Sequence, residues 1–270
     1  MQLEDLTELT WRLNIVTGTG TGGCLLKAEV PPHYYKLSTY TNSVIGHEAI
    51  NEVIVSRLLD QLGIPHIQYN LHNALITVDG STFPTALCSS KEFKVPGETK
   101  TTMEKYFKSN RINPKETPIE FMRRVGFEEY LNQMLFVDFL IINRDRHGSN
   151  LEVLSSGNAT RIAPLFDHGL SLVAPQQFDL QAVQNFDPMQ DKEVNNFFGT
   201  KSLFENLRFI SKPIQVATAQ INFDVLFMDI DTFLSEHHLN KIQDIIERRL
   251  EYAKQKNLFV SAEGYTSCFT

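Results

Sequence analysis

The sequence predicts an α+β fold of two lobes, a β-rich N-terminal lobe followed by a mainly helical C-terminal lobe. Short apolar runs alternate with turn residues up to Phe93, as expected for a sheet. A polar stretch rich in Lys, Thr, Asn and Pro covers residues 94–117 and marks the best boundary. Helical periodicity dominates after Pro118. We therefore predict an N-lobe with a sheet and one helix over residues 1–93, and a C-lobe over residues 94–270.

Composition argues against several classes of function. The chain has 270 residues, enough to bury two lobes with a cleft between them. Its net charge is −7 and no local basic patch is visible, so we expect neither nucleic acid nor an anionic membrane as a partner. No apolar window reaches the length of a membrane span.

The cysteines and the N-terminal residues predict a cytoplasmic location. Cys24, Cys88 and Cys268 lack C-x-x-C spacing, which argues against disulfides and against a zinc site. Residues 1–10 have neither the basic nor the apolar region of a secretory signal. Secretion without an N-terminal signal fits the same sequence and stays open.

A glycine-rich segment interrupts the first predicted strands. Trp11–Val16 and Cys24–Ala28 have strand character, and between them lies Thr-Gly-Thr-Gly-Thr-Gly-Gly. Glycine amides can approach phosphates closely, although a flexible hairpin tip explains the same pattern. The glycines are Gly18, Gly20, Gly22 and Gly23.

The next strand and helix carry a candidate ion pair. His33–Ser38 is predicted as a strand in which Lys36 can point inward, although a solvated lysine is the commoner case. Residues 46–62 have helical periodicity, with Glu48 and Glu52 on one face. Either glutamate can meet Lys36, or both are exposed acids.

The remaining elements follow from turn signals and periodicity. Asp79-Gly80 predicts a hairpin within residues 67–93, and a hinge is expected near residues 87–93. In the C-lobe we predict helices over residues 118–126, 128–142, 224–235 and 239–255, a hairpin formed by residues 151–154 and 161–165, and loop with a short helix over residues 174–200.

Two polar stretches each follow an apolar run directly. Asn143 to Asn150 comes after the run Leu135–Ile142, and Asp167-His168-Gly169 comes after the predicted hairpin. The order is an acid at Asp145, an amide at Asn150 and a second acid at Asp167. That order suits metal-assisted phosphoryl transfer, which depends on positioning and on charge stabilisation by magnesium.

Spacing alone does not identify the catalytic pair. An Asp followed five residues later by Asn occurs at Asp138/Asn143, Asp145/Asn150 and Asp191/Asn196. Only the second pair encloses charged residues and a histidine and follows the end of a predicted buried helix. Asp138 lies inside that helix, where we expect it to orient or cap a neighbouring loop.

Four segments of the sequence match motifs of one known family. They are Tyr35-Lys36-Leu37-Ser38, Asn51-Glu52, Asn143-Arg144-Asp145-Arg146-His147-Gly148-Ser149-Asn150 and Ala163-Pro164-Leu165-Phe166-Asp167. Together they resemble the HipA-like serine/threonine kinases, which have N-x-D-x-H-x-x-N in the catalytic loop and A-P-x-[YF]-D before the metal ligand. The resemblance implies a two-lobed protein-kinase-like fold and an enzyme that uses ATP and Mg²⁺.

The resemblance also assigns roles to residues. Asp145 is implied as the catalytic base, with Asn150 and Asp167 as magnesium ligands. Lys36, paired with Glu52, is implied to contact the ATP phosphates. Arg146 and His147 are interpreted as supports of the loop. The segment with Gly18, Gly20, Gly22 and Gly23 is implied to cover the phosphates, and the backbone at Cys88, Ser89 and Ser90 to meet adenine.

Substrate and partners are less defined. A protein substrate is implied, but similar D-R-H-x-x-N loops occur in phosphatidylinositol kinases, so a lipid or small-molecule kinase and a nucleotide-binding pseudokinase remain alternatives. The chain resembles the short, single-module members of the family, for which a separate antitoxin or inhibitory partner is expected if the protein is a toxin. By the same resemblance, Thr17, Thr19 and Thr21 are candidates for autophosphorylation.

Overall fold

The fold is described by a computed structural model that covers residues 1–13, 25–41 and 44–262. It contains a sheet followed by a mainly helical region, so the predicted α+β class is confirmed. The elements up to Lys91 are β1 (Glu4–Asp5), β2 (Arg12–Leu13), β3 (Leu26–Val30), β4 (His33–Leu37), β5 (Tyr40–Thr41), β6 (Val44–Ile45), α1 (Glu48–Leu62), β7 (Asn70–Val78) and β8 (Ser81–Lys91).

Most of these strands form one sheet in the order β1-β7-β8-β4-β3-β2, while β5 pairs with β6. Neighbours in the larger sheet are antiparallel except β1, which runs parallel to β7. The predicted Asp79-Gly80 turn joins β7 and β8 with φ values of 49° and 77°. Positive φ at both positions matches the twist of the flanking strands. The predicted glycine hairpin lies outside the described residues.

The helix α1 packs behind this sheet and ends where predicted. Val53, Ile54 and Leu58 are fully buried, which explains the apolar periodicity of the segment. Gly63 terminates the helix with a φ of 70°, a conformation that glycine adopts without steric cost.

The remaining elements, from Thr99 onward, begin with a strand. They are β9 (Thr99–Thr102), α2 (Met103–Asn110), α3 (Pro118–Arg124), α4 (Glu128–Ile141), β10 (Asp145–Arg146), β11 (Glu152–Ser156), β12 (Ala159–Ile162), α5 (Leu180–Gln184), β13 (Asn195–Asn196), α6 (Leu203–Asn206), β14 (Ile214–Val216), α7 (Phe223–Phe227), α8 (Glu236–Gln255) and β15 (Phe259–Ser261). The boundary at residue 93 remains a prediction.

The polar stretch 94–117 contains β9 and α2, which the sequence did not predict. β9 pairs antiparallel with β11, so the predicted hairpin β11–β12 is part of a three-stranded sheet in the described chain. The strand Thr99–Thr102 has no apolar residue, and its pairing partner lies about fifty residues further on. Pairing across the sheet, rather than an apolar pattern, defines this strand.

The helix predicted over residues 224–235 is wrong. Only α7 forms there, capped by the Asn222 side chain, and Met228 leaves the helical conformation. Asp229 then has a φ of 61°, which breaks the helix. Arg57 donates hydrogen bonds to the carbonyl oxygens of Leu226 and Met228 at 3.1 and 2.7 Å. A tertiary contact therefore stabilises the C-terminal end of α7.

One apolar core joins α1 to the helices α4 and α8, and a smaller cluster fills the other face of the sheet. Leu131, Leu135 and Phe139 of α4 lie in the main core, as their spacing predicts. α4 is followed by Ile142 in the left-handed conformation, so the chain turns sharply into the polar stretch that follows. Within the described residues, no helix has the length and apolarity needed to cross a membrane.

Candidate active site

Lys36 lies at the centre of an ion-pair cluster that joins both halves of the chain. Its Nζ donates to Glu52 Oε1 at 2.6 Å, to Asp167 Oδ1 at 3.2 Å and to Tyr69 Oη at 3.2 Å. β4 therefore points Lys36 inward, toward α1 and toward the segment that follows β12. The inward orientation was one of two predicted alternatives.

The positive charge of Lys36 and the negative charge of Asp167 stabilise each other. Burial alone lowers the pKa of Lys36, but Glu52, Tyr69 and Asp167 raise it well above the ordinary lysine value. Burial raises the pKa of Asp167, whereas the positive charges of Lys36 and Lys27 lower it, and the result is about 2. At neutral pH Lys36 is therefore cationic and Asp167 anionic.

Glu48 and Glu52 have different partners although they share a face of α1. Glu52 pairs with Lys36, and its Oε2 accepts a hydrogen bond from the backbone N–H of His168 at 2.9 Å. Glu48 instead accepts hydrogen bonds from the Thr39 backbone and hydroxyl at 3.1 and 2.9 Å. Glu52, not Glu48, is thus the partner of the lysine.

The Asp167-His168-Gly169 segment is held against α1 by its backbone. Asn51 donates hydrogen bonds to the carbonyl oxygens of Gly169 and Ser171 at 3.0 and 3.3 Å. Asp167 has a φ of 63°, an uncommon conformation for a residue with a side chain. His168 is buried, and burial together with Arg146 lowers its pKa well below the ordinary value, so it is neutral.

Asp145 projects from β10 and is partly exposed. β10 pairs parallel with β13, which places Asn195 beside Asp145. Asn195 Nδ2 donates to Asp145 Oδ1 at 2.9 Å, and His147 Nε2 lies 3.5 Å from Oδ2. The Asp145 side chain is 29% exposed, so its carboxylate is oriented by neighbours but remains accessible.

Arg146 and Asp138 form a fully buried support beneath the loop. Arg146 Nε donates to Asp138 Oδ2 at 3.0 Å and Nη2 donates to Oδ1 at 2.8 Å. Asn143 Nδ2 also donates to Asp138 Oδ1, at 2.8 Å. Both charged side chains are 1% exposed. Asp138 therefore orients the loop that follows its helix, and Arg146 supports that loop, as predicted.

Asn150 has a side-chain oxygen suited to a metal ion. Its Nδ2 donates to the Asp145 carbonyl at 2.8 Å, while its buried Oδ1 has no hydrogen-bond partner among the described residues. Arg146 Nη1 donates to the carbonyl oxygens of both Asn150 and Phe166, at 3.4 and 3.0 Å. One guanidinium thus brings Asn150 close to the residue before Asp167.

The donor set fits magnesium. Mg²⁺ prefers oxygen ligands and is commonly held by one or two protein groups together with substrate phosphates. Asn150 Oδ1 and the Asp167 carboxylate are oxygen donors of this type. In the described part of the chain, no group of three or more His, Cys, Asp or Glu side chains is placed to hold a metal ion.

A cavity of about 610 Å³ opens beside Lys36 and Asp167. Ser90 and Phe93 line it, whereas Cys88 and Ser89 are not among its described lining residues. Cys88 is buried opposite Lys36 in the sheet, and the Ser89 hydroxyl lies 2.8 Å from His72 on the other face. Gly18, Gly20, Gly22 and Gly23 lie outside the described residues.

Comparison with known structures identifies the fold. A Helicobacter pylori proinflammatory kinase, CtkA, superimposes with a TM-score of 0.61 and 16% sequence identity, covering 95% of this chain and 98% of that one. The chain has a protein-kinase-like fold. This similarity confirms the predicted resemblance at the level of the fold.

Two further structures resemble the kinase-like fold more distantly. The HipA, HipB and operator DNA complex of the Shewanella oneidensis MR-1 toxin–antitoxin system gives 15% identity and a TM-score of 0.45, covering 93% of this chain and 70% of that one. The golgi casein kinase gives 12% identity and a TM-score of 0.41, covering 88% of this chain and 74% of that one. No family model matches this sequence, and a search of the curated proteins found no match.

The kinase-like fold brings together residues that the sequence did not single out. Lys27 lines the cavity and lies opposite Lys36 in the β3–β4 pair. The Pro31-Pro32 turn joins the two strands and sets this pairing. Counting back from that turn in the sequence could therefore have placed Lys27 beside Lys36. Tyr69 and Asn195 had no signal, because only tertiary packing brings them to Lys36 and Asp145.

Proposed function

We propose that this chain is an ATP- and Mg²⁺-dependent serine/threonine protein kinase of the HipA-like type. The observation that carries the proposal is the cluster in which Lys36 is bonded to both Glu52 and Asp167 at the wall of the cavity. A lysine held between two acids is preorganised to meet nucleotide phosphates without moving far.

Within this proposal, Asp145 receives the proton of the substrate hydroxyl while the hydroxyl oxygen forms a bond to the γ-phosphorus. The bond from that phosphorus to the ADP oxygen breaks, and ADP leaves with the electron pair. Asn195 donates to Oδ1 of Asp145, and we assign Oδ2, which lies 3.5 Å from His147 Nε2, as the oxygen that accepts the proton. The fixed orientation of a general base is typically worth 10²–10⁴-fold in rate, roughly the contribution we assign to Asp145.

Asn150 and Asp167 would hold the magnesium ion. When bound, the ion would offset the negative charge of the nucleotide phosphates. Asp167 also stays bonded to Lys36, so the ligand and the phosphate-binding lysine are positioned as one unit. Arg146 keeps Asn150 beside that unit through its bonds to two carbonyl oxygens.

The proposed biological role follows from the sequence. A protein substrate, a toxin or effector role and a separate antitoxin or inhibitory partner derive from the resemblance of the sequence to HipA-like kinases, and a cytoplasmic location derives from its isolated cysteines. Autophosphorylation at Thr17, Thr19 or Thr21 belongs to the same group. These threonines lie outside the described residues.

The proposal is tested by transfer of labelled γ-phosphate from Mg²⁺-ATP, offered separately with protein and with lipid vesicles. We expect label on protein, including the chain itself, and none on lipid. Asp167→Asn should abolish the transfer. Asp191→Asn, at the exposed aspartate of the third pair with this spacing, is the matched control and should retain it.

Label found only on lipid would replace the protein kinase by a lipid kinase. Nucleotide binding without any transfer would indicate a pseudokinase. Undiminished transfer by Asp167→Asn would remove Asp167 from the metal site.

A further inference from the structure

The two arginines that flank Asp145 in the sequence have opposite environments. Arg146 donates hydrogen bonds to Asp138, and although burial lowers its pKa, this carboxylate raises it above the ordinary arginine value. Arg144 has no such partner, since its buried Nε and Nη2 form no hydrogen bond within the described residues. Burial alone lowers the pKa of Arg144. Buried polar groups are almost always hydrogen-bonded, so Arg144 is a position where an anion can bind.

The backbone of Arg144 is fixed beside the proposed base. Its N–H donates to the Leu170 carbonyl oxygen at 3.4 Å, and its carbonyl oxygen accepts a hydrogen bond from the Asn195 backbone N–H at 2.8 Å. The side chain of the same Asn195 donates to Asp145. The guanidinium extends from this point to within 5.9 Å of the centre of the Phe186 ring, and Arg144 is partly exposed. An anion bound to Arg144 therefore approaches from the protein surface, close to Asp145.

Two further cations lie near Arg144. Lys192 Nζ is 5.0 Å from the centre of the Phe186 ring, and it donates a hydrogen bond to the neutral side chain of Gln190. Arg249 is fully buried, and its Nη2 has no hydrogen-bond partner in the described part of the chain. Burial lowers the pKa of Lys192 and of Arg249, and the positive charge of Arg144 lowers both further. The three positive charges therefore act on one another.

The aspartates of this region are exposed and have other partners. Asp187 Oδ1 lies 3.6 Å from Arg248 Nη1, and Asp191 accepts a hydrogen bond from the Ser202 hydroxyl. Neither aspartate is among the groups that shift the pKa of Arg144. The surroundings of Arg144 thus lack a compensating negative charge. They suit a carboxylate or a phosphate, with which a guanidinium can form two parallel hydrogen bonds.

We propose that Arg144, supported by the positive charges of Lys192 and Arg249, binds an acidic side chain of the acceptor protein, either a carboxylate or a phosphorylated residue. The chain would thereby select acceptors with negative charge near the phosphorylated hydroxyl. This inference rests on the proposed function and names the substrate class of the same site. An extended peptide spans about 3.3 Å per residue, and Arg144 immediately precedes the base. The acidic side chain should therefore lie within about three residues of the acceptor hydroxyl.

The test compares neutral peptides that contain one central serine. Aspartate, phosphoserine or alanine is placed in turn at each of the three positions on either side of that serine. Dissociation constants of the labelled peptides are measured by fluorescence anisotropy, and transfer of γ-phosphate from Mg²⁺-ATP to the same peptides is measured separately. The wild type should bind at least one acidic peptide about tenfold or more tightly than its alanine counterpart, the gain expected for a hydrogen bond between charged groups.

Substitution of the cations should remove this preference. In Arg144→Gln the ratio of the two dissociation constants should fall to within about twofold of unity. Arg144→Lys covers the case in which Arg144→Gln does not fold. It keeps the charge but not the planar pair of donors, so it should retain only part of the preference. Lys192→Gln, at a partly exposed side chain, should reduce the preference less than Arg144→Gln does.

The matched control is Arg208→Gln. The Arg208 guanidinium also lies over an aromatic ring, 4.8 Å from the centre of Phe209, but this arginine is exposed and belongs to a different part of the fold. The variant should keep the wild-type preference for acidic peptides.

Equal binding of acidic and alanine peptides by the wild type would overturn the inference, as would an unchanged preference in the Arg144 variants. Equal weakening of all peptides in those variants would indicate that Arg144 acts only within the chain, and would also contradict it. A preference confined to phosphoserine would support the site and narrow its ligand to a phosphoryl group. A preference that depends on Arg144, without transfer to any peptide, would support the site and overturn the proposed kinase activity, so the two failures are distinguishable.

Discussion

Two Asp–Asn pairs of identical spacing lie one after the other in this chain and have opposite environments. Asp138 is buried, and its oxygens accept hydrogen bonds from Arg146 and Asn143. Asp145 is 29% exposed, and Oδ1 of Asn150 has no partner among the described residues. The first pair is satisfied within the protein, whereas the second keeps oxygen atoms available for a ligand.

Hydrogen-bond satisfaction, rather than spacing, distinguishes the structural pair Asp138/Asn143 from the candidate functional pair Asp145/Asn150. Buried polar groups in proteins are almost always hydrogen-bonded, so an exception beside a candidate site is a position where a ligand, an ion or a water molecule can bind. The third pair, Asp191/Asn196, lies outside the candidate site, and its oxygen atoms also accept hydrogen bonds from the protein. Asp191 is exposed and accepts a hydrogen bond from Ser202, while Asn196 accepts one from the Phe198 backbone at 2.8 Å.

The largest expected effect is on catalysis by Asp145→Asn. An amide cannot accept the substrate proton, so phosphate transfer should fall by about 10²–10⁴-fold. The free energy of unfolding should change by less than about 0.5 kcal/mol, because this side chain is partly exposed. Transfer rates and urea unfolding are measured on the same preparation. A large loss of stability would mean that Asp145 belongs with the structural pair.

Asp138→Asn should show the reverse pattern. It leaves the buried Arg146 guanidinium without a counter-charge, which typically costs about 3–5 kcal/mol of stability. Chemical denaturation of the wild type and the variant gives this difference. A variant as stable as the wild type would show that the buried ion pair does not hold the loop.

Asn150→Ala separates metal binding from general support. The variant removes the unpartnered Oδ1, so the Mg²⁺ concentration that gives half-maximal transfer should rise at least about tenfold. Titration of activity with magnesium at saturating ATP measures the shift. Asn143→Ala is the control: it removes a hydrogen bond to Asp138 and should reduce stability without changing the magnesium requirement. Equal magnesium curves for the wild type and Asn150→Ala would remove Asn150 from the metal site.

The smallest effect concerns Asp167 and pH. Its pKa in the fold is about 2, below the ordinary value of about 3.9, because Lys36 and Lys27 outweigh the effect of burial. The ion pair therefore stabilises the fold fully above about pH 4, and this contribution is lost as the pH falls toward 2. The stability difference between the wild type and Asp167→Asn should shrink over that interval. A difference independent of pH would contradict the ion pair.

Much of the site could be predicted because its residues sit at the ends of elements with strong local signals. Periodicity and turn residues predict the helix α4 and the hairpin β11–β12. Asp145 and Asn150 lie between these two elements, and Asp167 follows the hairpin. Alternation on a strand predicts that Lys36 can point inward, and the resemblance to HipA-like kinases selects Glu52 as its partner. These residues needed no knowledge of tertiary packing to be singled out.

The parts that sequence could not supply depend on contacts distant in the chain. The strand β9 exists because it pairs with β11, and Asn195 meets Asp145 only because β13 pairs with β10. Residues 224–235 have the apolar pattern of a helix, but the helical conformation ends before Asp229, which has a positive φ. Arg57 of α1 donates hydrogen bonds to the carbonyl oxygens of Leu226 and Met228 at this point. Local periodicity does not reveal contacts between residues that are distant in the sequence.

The most direct test of the distinction between the two pairs is phosphate transfer per folded molecule, measured in parallel for Asp145→Asn and Asp138→Asn. The folded fraction of each variant is taken from its unfolding curve at the assay temperature. We predict that Asp145→Asn is fully folded and essentially inactive, while Asp138→Asn loses stability and retains far more transfer per folded molecule. Wild-type transfer by Asp145→Asn would contradict the assignment of Asp145 as the base.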